Sequence, residues 1–142
     1  MVAGIFFAFS NFVMRALGRV QPSAGMAAMQ AINITVVNPM FFLFFLGAAF
    51  LSLVLCVFAL LRWQHPSAAW LLGGGVLYVV GSFVVTVAGN VPLNAALAQR
   101  DPSTPASGSF WAEYISRWLA WNHVRTVASL LAAAAFSMGL PR

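Results

Sequence analysis

From Pro39 to Leu61 the chain reads PMFFLFFLGAAFLSLVLCVFALL, without a single charged side chain, and ends against Arg62, Trp63 and His65. A run of that length matches the hydrocarbon layer of a bilayer. There every backbone N–H and C=O must be bonded within the chain, so the run predicts a spanning helix with its proline in the first turn. Arg62 and Trp63 read as an interfacial anchor, and Pro66 opens a tight turn. Met40, the phenylalanines and Cys56 within or beside this run read as packing.

The remainder of the chain does not return to a soluble composition. Hydrophobic residues make up 62% and charged residues 6%, where a soluble domain carries about 25% charged residues. An ordinary soluble domain is excluded, and the 142 residues read as one small membrane domain. The net charge of +5 comes from arginines set singly near helix ends, against Asp101 and Glu113. With no basic run and no interleaved aromatics, that charge fits membrane anchoring and not nucleic acid. Cys56 stands alone in the sequence, so neither an internal disulfide nor a thiolate cluster is expected.

Hydropathy and turn signals predict an all-α, four-transmembrane-helix bundle with a short interfacial helix between helices 1 and 2. The spans fall at about 2–18, 39–61, 68–91 and 118–139, the interfacial helix at about 23–36 with Ser23 as its cap, and a polar loop at about 95–109. The first segment lacks a charged leader and a cleavage site and reads as a retained helix, short for a full span; it is either tilted or extended upstream. In the third span Gly73, Gly81 and Gly89 form a seam of small residues suited to a helix approach, within the chain or in a homo-oligomer. Arg15, Arg19, Arg100 and Arg117 flank one side and Arg62 and Arg142 the other, which favours both termini outside the cytoplasm. The setting is an integral membrane protein of a bacterial inner membrane, with the lipid bilayer as its solvent.

The fourth span opens with WLAWNHVRTVAS, which puts Trp118, Asn122, Arg125 and Ser129 on one helical stripe. If that span ends near Met138, Arg125 lies about 9 Å inside the membrane, at about 1.5 Å per residue. A charge there costs about 2.5 to 3.5 kcal/mol, so it should face the bundle interior and meet a partner or a ligand. Antiparallel helices bring other polar residues to the same half: Asn11, Arg15, Gln30, Asn33, Asn38, Asn90, Asn94, Asn122 and His123. Asn11 and Arg15 also read as an interfacial amide and a snorkelling arginine, and Ser82 and Thr86 as hydroxyls bonded to their own helix with Asn90 as its cap.

Amides bond carbonyls and hydroxyls, a guanidinium stabilises a phenolate or enolate, and aromatic walls stack on planar rings. The set suits a lipophilic aromatic small molecule carrying oxygens. His65 and His123 fall on opposite sides and no metal-ligand spacing is present, so no metal and no cofactor is predicted; a single-ligand haem on His123 is the minor alternative. His123 is the one nearby side chain with the pKa of a general base, just off the Asn122 and Arg125 stripe. Two function classes remain open: an oxidoreductase acting on a phenolic or quinone-like compound, and a noncatalytic membrane protein whose amides form a structural network. The noncatalytic class covers a ligand binder, a transporter subunit or an assembly partner.

GIFFAFSNFVM, GMAAMQAIN, GNVPLN and the W-x-x-W-N-x-x-R-T that opens the fourth span occur in this order along nearly the whole chain. On these pieces the sequence resembles the anthrone oxygenase family of small integral membrane proteins. It departs from that pattern at Arg15, where members often carry proline, and in its shorter first helix. The resemblance implies a four-helix membrane protein related to enzymes that oxidise an anthrone to an anthraquinone with dioxygen and no recognised organic cofactor. By position it implies Gln30, Asn33, Asn90, Asn94, Trp121, Asn122 and Arg125 as site residues. Together with the stripe this gives Arg125, Asn122 and His123 as catalytic candidates and Gln30, Asn33, Asn90, Asn94, Trp118 and Trp121 as substrate-binding ones.

Overall fold

The computed structural model describes residues 1–140, so Arg142, which enters the charge balance, lies outside the described residues. Those residues form helices joined by short connections, with no strand among them. Helix α1 is Val2–Leu17, α2 is Pro22–Thr35, α3 is Pro39–Leu61, α4 is Ala68–Ala98 and α5 is Ser107–Met138.

Helices α3 and α4 are long and apolar enough to cross a membrane, and α1 is a shorter apolar helix. Only 17% and 22% of the most apolar stretches of α3 and α4 are buried inside the protein. Core helices of a soluble protein would be covered; here Leu43, Phe50, Leu53, Leu61, Val80 and Val87 all face outward. Such a surface calls for an apolar solvent, and membrane insertion supplies it.

Helix α5 is the hub, packing against α1, α2 and α4, while α3 lies on the far side of α4. Two hydrophobic clusters result. One gathers Met14, Met26, Met29, Leu97, Trp111, Tyr114 and Trp118 where α2 covers the end of the bundle. The other gathers Val2, Phe6, Phe45, Ala49, Tyr78 and Ala132, with the Tyr78 hydroxyl donating to the Phe45 carbonyl at 3.2 Å.

Three details depart from the sequence reading. Helix α2 starts at Pro22 behind Gln21, which makes no side-chain cap bond, so Ser23 is already inside the helix; proline at the first position sets its φ and needs no donor. Asn38 is the side chain that caps, accepting from Phe41 N at 2.9 Å at the start of α3. The segment expected as a loop over 95–109 is helical at both ends: α4 runs through Pro92 to Ala98, and α5 begins at Ser107. A proline inside a helix clashes with the carbonyl four residues back. Here the backbone just ahead of it, Thr86–Asn90, is widened into a π stretch, and the helix continues.

The glycine seam works inside the chain at two of its positions. A Cβ at Gly81 would sit 2.5 Å from Ala128 Cβ, and one at Gly89 would sit 2.6 Å from the Trp121 ring, whereas Gly73 faces open space. Gly75, next to the seam, gives room to Cys56 and the Ser52 carbonyl.

Candidate functional site

The stripe on α5 is buried as its spacing requires: Trp118, Asn122, Arg125 and Ser129 are each 5% exposed or less. Arg125 has neither carboxylate near it. Glu113 pairs with Arg117 at 3.2 Å on the surface, and Asp101 accepts from Ser103 in the loop. The guanidinium is held by neutral groups instead. Nη2 donates to Asn122 Oδ1 at 2.6 Å and Nη1 to Thr86 Oγ1 at 3.2 Å. Its carbon lies 4.2 Å from the centre of the Phe6 ring and 5.2 Å from that of Trp118. Two aromatic faces contribute roughly 0.5 to 2 kcal/mol each to a desolvated cation, but they do not neutralise it. Nε has no partner.

Each holding group is itself fixed. Asn122 Nδ2 donates to the Phe6 carbonyl and to Ser10 Oγ, both at 2.8 Å, so its oxygen is directed at Arg125. Thr86 donates to the Ser82 carbonyl at 2.7 Å, one turn back, which leaves its oxygen lone pairs for the guanidinium. Ser129 continues the chain by donating to Ser82 Oγ at 2.9 Å.

Beside Arg125 lies a cavity of about 400 Å³ walled by Phe6, Phe9, Phe41, Phe45, Phe83 and Trp118. Its polar lining is Asn33, Thr86, Asn90, Asn94 and Arg125. That is a volume for one small molecule, in an apolar chamber with few convergent polar groups. Phe9, Phe83, Thr86 and Asn90 all come from the π stretches Phe9–Val13, Val79–Val84 and Thr86–Asn90. Such widened turns rotate side chains out of α-helical register and recur at functional sites.

The sequence candidates divide. Asn33, Asn90, Asn94, Trp118 and Arg125 line the chamber; Gln30, Trp121, Asn122 and His123 do not. Gln30 Nε2 bonds the carbonyls of Leu97 and Arg100 at 2.8 and 2.9 Å, tying α2 to the end of α4. Trp121 lies over Gly89 and is 43% exposed. Asn122 is fully buried behind the guanidinium. His123 is exposed, with Nδ1 2.9 Å from Ser10 Oγ. Arg15 and Asn11 are exposed as well. Of the liners, Asn94 has its oxygen occupied by Tyr114 and by the Trp118 indole, both at 2.9 Å. Asn33 Nδ2 and Asn90 Oδ1 are buried without partners.

Ser10 and Tyr114 escaped the sequence reading. Ser10 sits as one hydroxyl among phenylalanines and contacts Asn122, His123 and Thr126; only its isolation in GIFFAFSNF signalled it. Among the described residues no group of three His, Cys, Asp or Glu side chains is placed to hold a metal ion.

Residues 40–135 match the model of a protein family described as Anthrone oxygenase. No match was found among the curated proteins or among the solved structures. The matched segment takes in α3, α4 and most of α5, including Asn90, Asn94, Trp118 and Arg125, and leaves the α1 and α2 walls of the chamber outside it. With well over half of its length matched, this chain belongs to the anthrone oxygenase family.

Proposed function

We propose that the protein is an oxygenase-like oxidoreductase that binds a lipophilic, planar phenolic or quinone-like compound in the chamber and uses dioxygen, without an organic cofactor. The observation that carries this reading is Arg125: a buried guanidinium with no carboxylate beside it, at the wall of an aromatic-lined cavity. A buried cation without a counter-charge favours a ligand that brings one. In this reading α1, α3, α4 and α5 span a bacterial inner membrane and α2 lies at its interface.

The chemistry asks little of the protein. Loss of a proton from the anthrone carbon opposite the carbonyl gives an aromatic enolate. Its oxygen lies against Arg125, which stabilises the charge as it develops. The enolate passes an electron to dioxygen, and the two radicals combine at that carbon as a hydroperoxide. Loss of water then gives the quinone, so anthrone and dioxygen become anthraquinone and water. Trp118 and the phenylalanines hold the rings. Asn122 positions Arg125 from behind and does not touch the substrate. His123 is outside the chamber and, among the described residues, no carboxylate or histidine lines it. In this reading the carbon's proton therefore passes to water, drawn off by the stabilisation that Arg125 gives the enolate oxygen, and the same proton count is returned to the peroxide as it becomes the hydroperoxide.

The test is quinone formation from a hydroxylated anthrone by purified protein in detergent under air. Expected is a rate well above the spontaneous one, returned to background in Arg125→Met. Equal rates with and without protein would end the enzymatic reading. The noncatalytic alternative, a lipophilic-ligand binder, is favoured by the internal pairing of the Asn122 amide and of the Gln30 amide nitrogen; it expects background rates together with ligand binding that still depends on Arg125.

A further inference from the structure

The chamber contains one buried acceptor that nothing in the protein satisfies. Asn90 is 1% exposed, and its Nδ2 donates to the Trp118 carbonyl at 3.2 Å. A carbonyl oxygen can only accept, so the amide nitrogen has to be the atom that faces it. This fixes the orientation of the side chain and sends Oδ1 the other way, where it is buried and has no donor. An acceptor left in that state costs about 1 to 3 kcal/mol. Asn90 ends the π stretch of α4 and lines the chamber, and the two unpaired donors of the same lining, Asn33 Nδ2 and Arg125 Nε, do not reach its oxygen.

We infer that Asn90 Oδ1 is the acceptor for an un-ionised hydroxyl of the ligand, separate from the oxygen that Arg125 takes. Within the phenolic compounds already proposed, Asn90 is thereby the residue that reads the free hydroxyl, while the guanidinium takes the carbonyl or enolate oxygen. A planar ketone without the hydroxyl, or with it methylated, fills the same volume but leaves Oδ1 unpaired. A site built around a hydrogen bond discriminates strongly against an analogue that cannot make it. This inference rests on the reading that the chamber takes a planar oxygenated ligand.

The experiment measures quenching of tryptophan fluorescence by beta-hydroxyanthraquinone and by its methyl ether, at a pH where the free hydroxyl is protonated. Expected for the unaltered protein is binding of the hydroxy compound about 10- to 100-fold tighter. The preference should shrink to within about threefold in Asn90→Leu and survive in Arg125→Met, although Arg125→Met weakens both compounds. Should Asn90→Leu not fold, the unaltered protein and Arg125→Met still decide. A preference that is absent, or that disappears in Arg125→Met while Asn90→Leu keeps it, would assign the hydroxyl elsewhere and overturn this inference alone. Failure of both compounds to bind would overturn it together with the proposed function.

Discussion

Asn122 Oδ1 accepts a hydrogen bond of 2.6 Å from Arg125 Nη2, while the same amide holds the Phe6 carbonyl and Ser10 on α1 through its nitrogen. One fully buried side chain thus joins α1 to α5 and fixes the guanidinium that faces the chamber.

Replacing Asn122 by leucine takes the short acceptor away from a charged donor and removes both bonds by which this side chain ties α5 to α1. Hydrogen bonds to charged groups are worth about 1.5 to 3 kcal/mol each, so a loss of roughly 3 kcal/mol is expected, measured as a lowered thermal transition in detergent. Asn122→Asp gives Arg125 a carboxylate in place of the amide oxygen but turns a second oxygen onto the Phe6 carbonyl where a donor now stands, so the two effects on stability oppose each other and the loss should be smaller than in Asn122→Leu. The same substitution should also weaken binding of phenolate-type ligands at least tenfold, since Arg125 then has its anion. Unchanged ligand affinity in Asn122→Asp would contradict the electrostatic reading of the site.

The packing of α4 on α5 gives a second pair of expectations. Gly81→Ala puts a methyl group 2.5 Å from Ala128 Cβ with only backbone shifts to relieve it, and overpacking of this kind costs about 1 to 3 kcal/mol. Gly73→Ala meets nothing within 4 Å and gains helix propensity of up to about 1 kcal/mol. Thermal transitions of the two variants should therefore move in opposite directions. Equal effects would mean that the seam does not pack where the structure places it.

Gln30 fastens α2 to the end of α4 through two carbonyls. Gln30→Leu frees the α2 end of the bundle, and cleavage by added protease in the 99–106 connection should become faster by about tenfold, on the order of the 1 to 2 kcal/mol that two such bonds contribute. Ligand affinity should change less than in any chamber variant. Unaltered cleavage would show that the connection is held by Asp101, Ser103 and Ser107 alone.

Much of this was legible in the amino acids. The apolar run Pro39–Leu61 and the stripe Trp118, Asn122, Arg125 and Ser129 became a long exposed helix and a buried line, because each depends only on period and hydropathy. The extent of α4 was not legible, since Pro92 reads as a terminator unless the turn before it widens, and widening has no composition signal. Nor did residue type separate the four asparagines. Asn90, Asn94, Asn33 and Asn122 carry the same groups, and only the neighbours brought by other helices decide which atoms are used up. Asn94 and Asn122 have their oxygens engaged by protein donors, whereas Asn90 keeps an oxygen free. His123 lies one residue from Asn122 and 100° around the helix, which is enough to put it on the outer surface.

If Arg125 meets a ligand oxyanion in the chamber, a pH titration of bound beta-hydroxyanthraquinone, followed by its visible absorption, reads that contact. A guanidinium on the carbonyl conjugated with the hydroxyl favours the anionic form, whose charge spreads onto that carbonyl oxygen. In the unaltered protein the bound dye should therefore ionise at least about one unit lower than in Arg125→Met, about 1.4 kcal/mol of differential interaction. The same ionisation pH in both proteins, with the dye bound in both, would contradict the account.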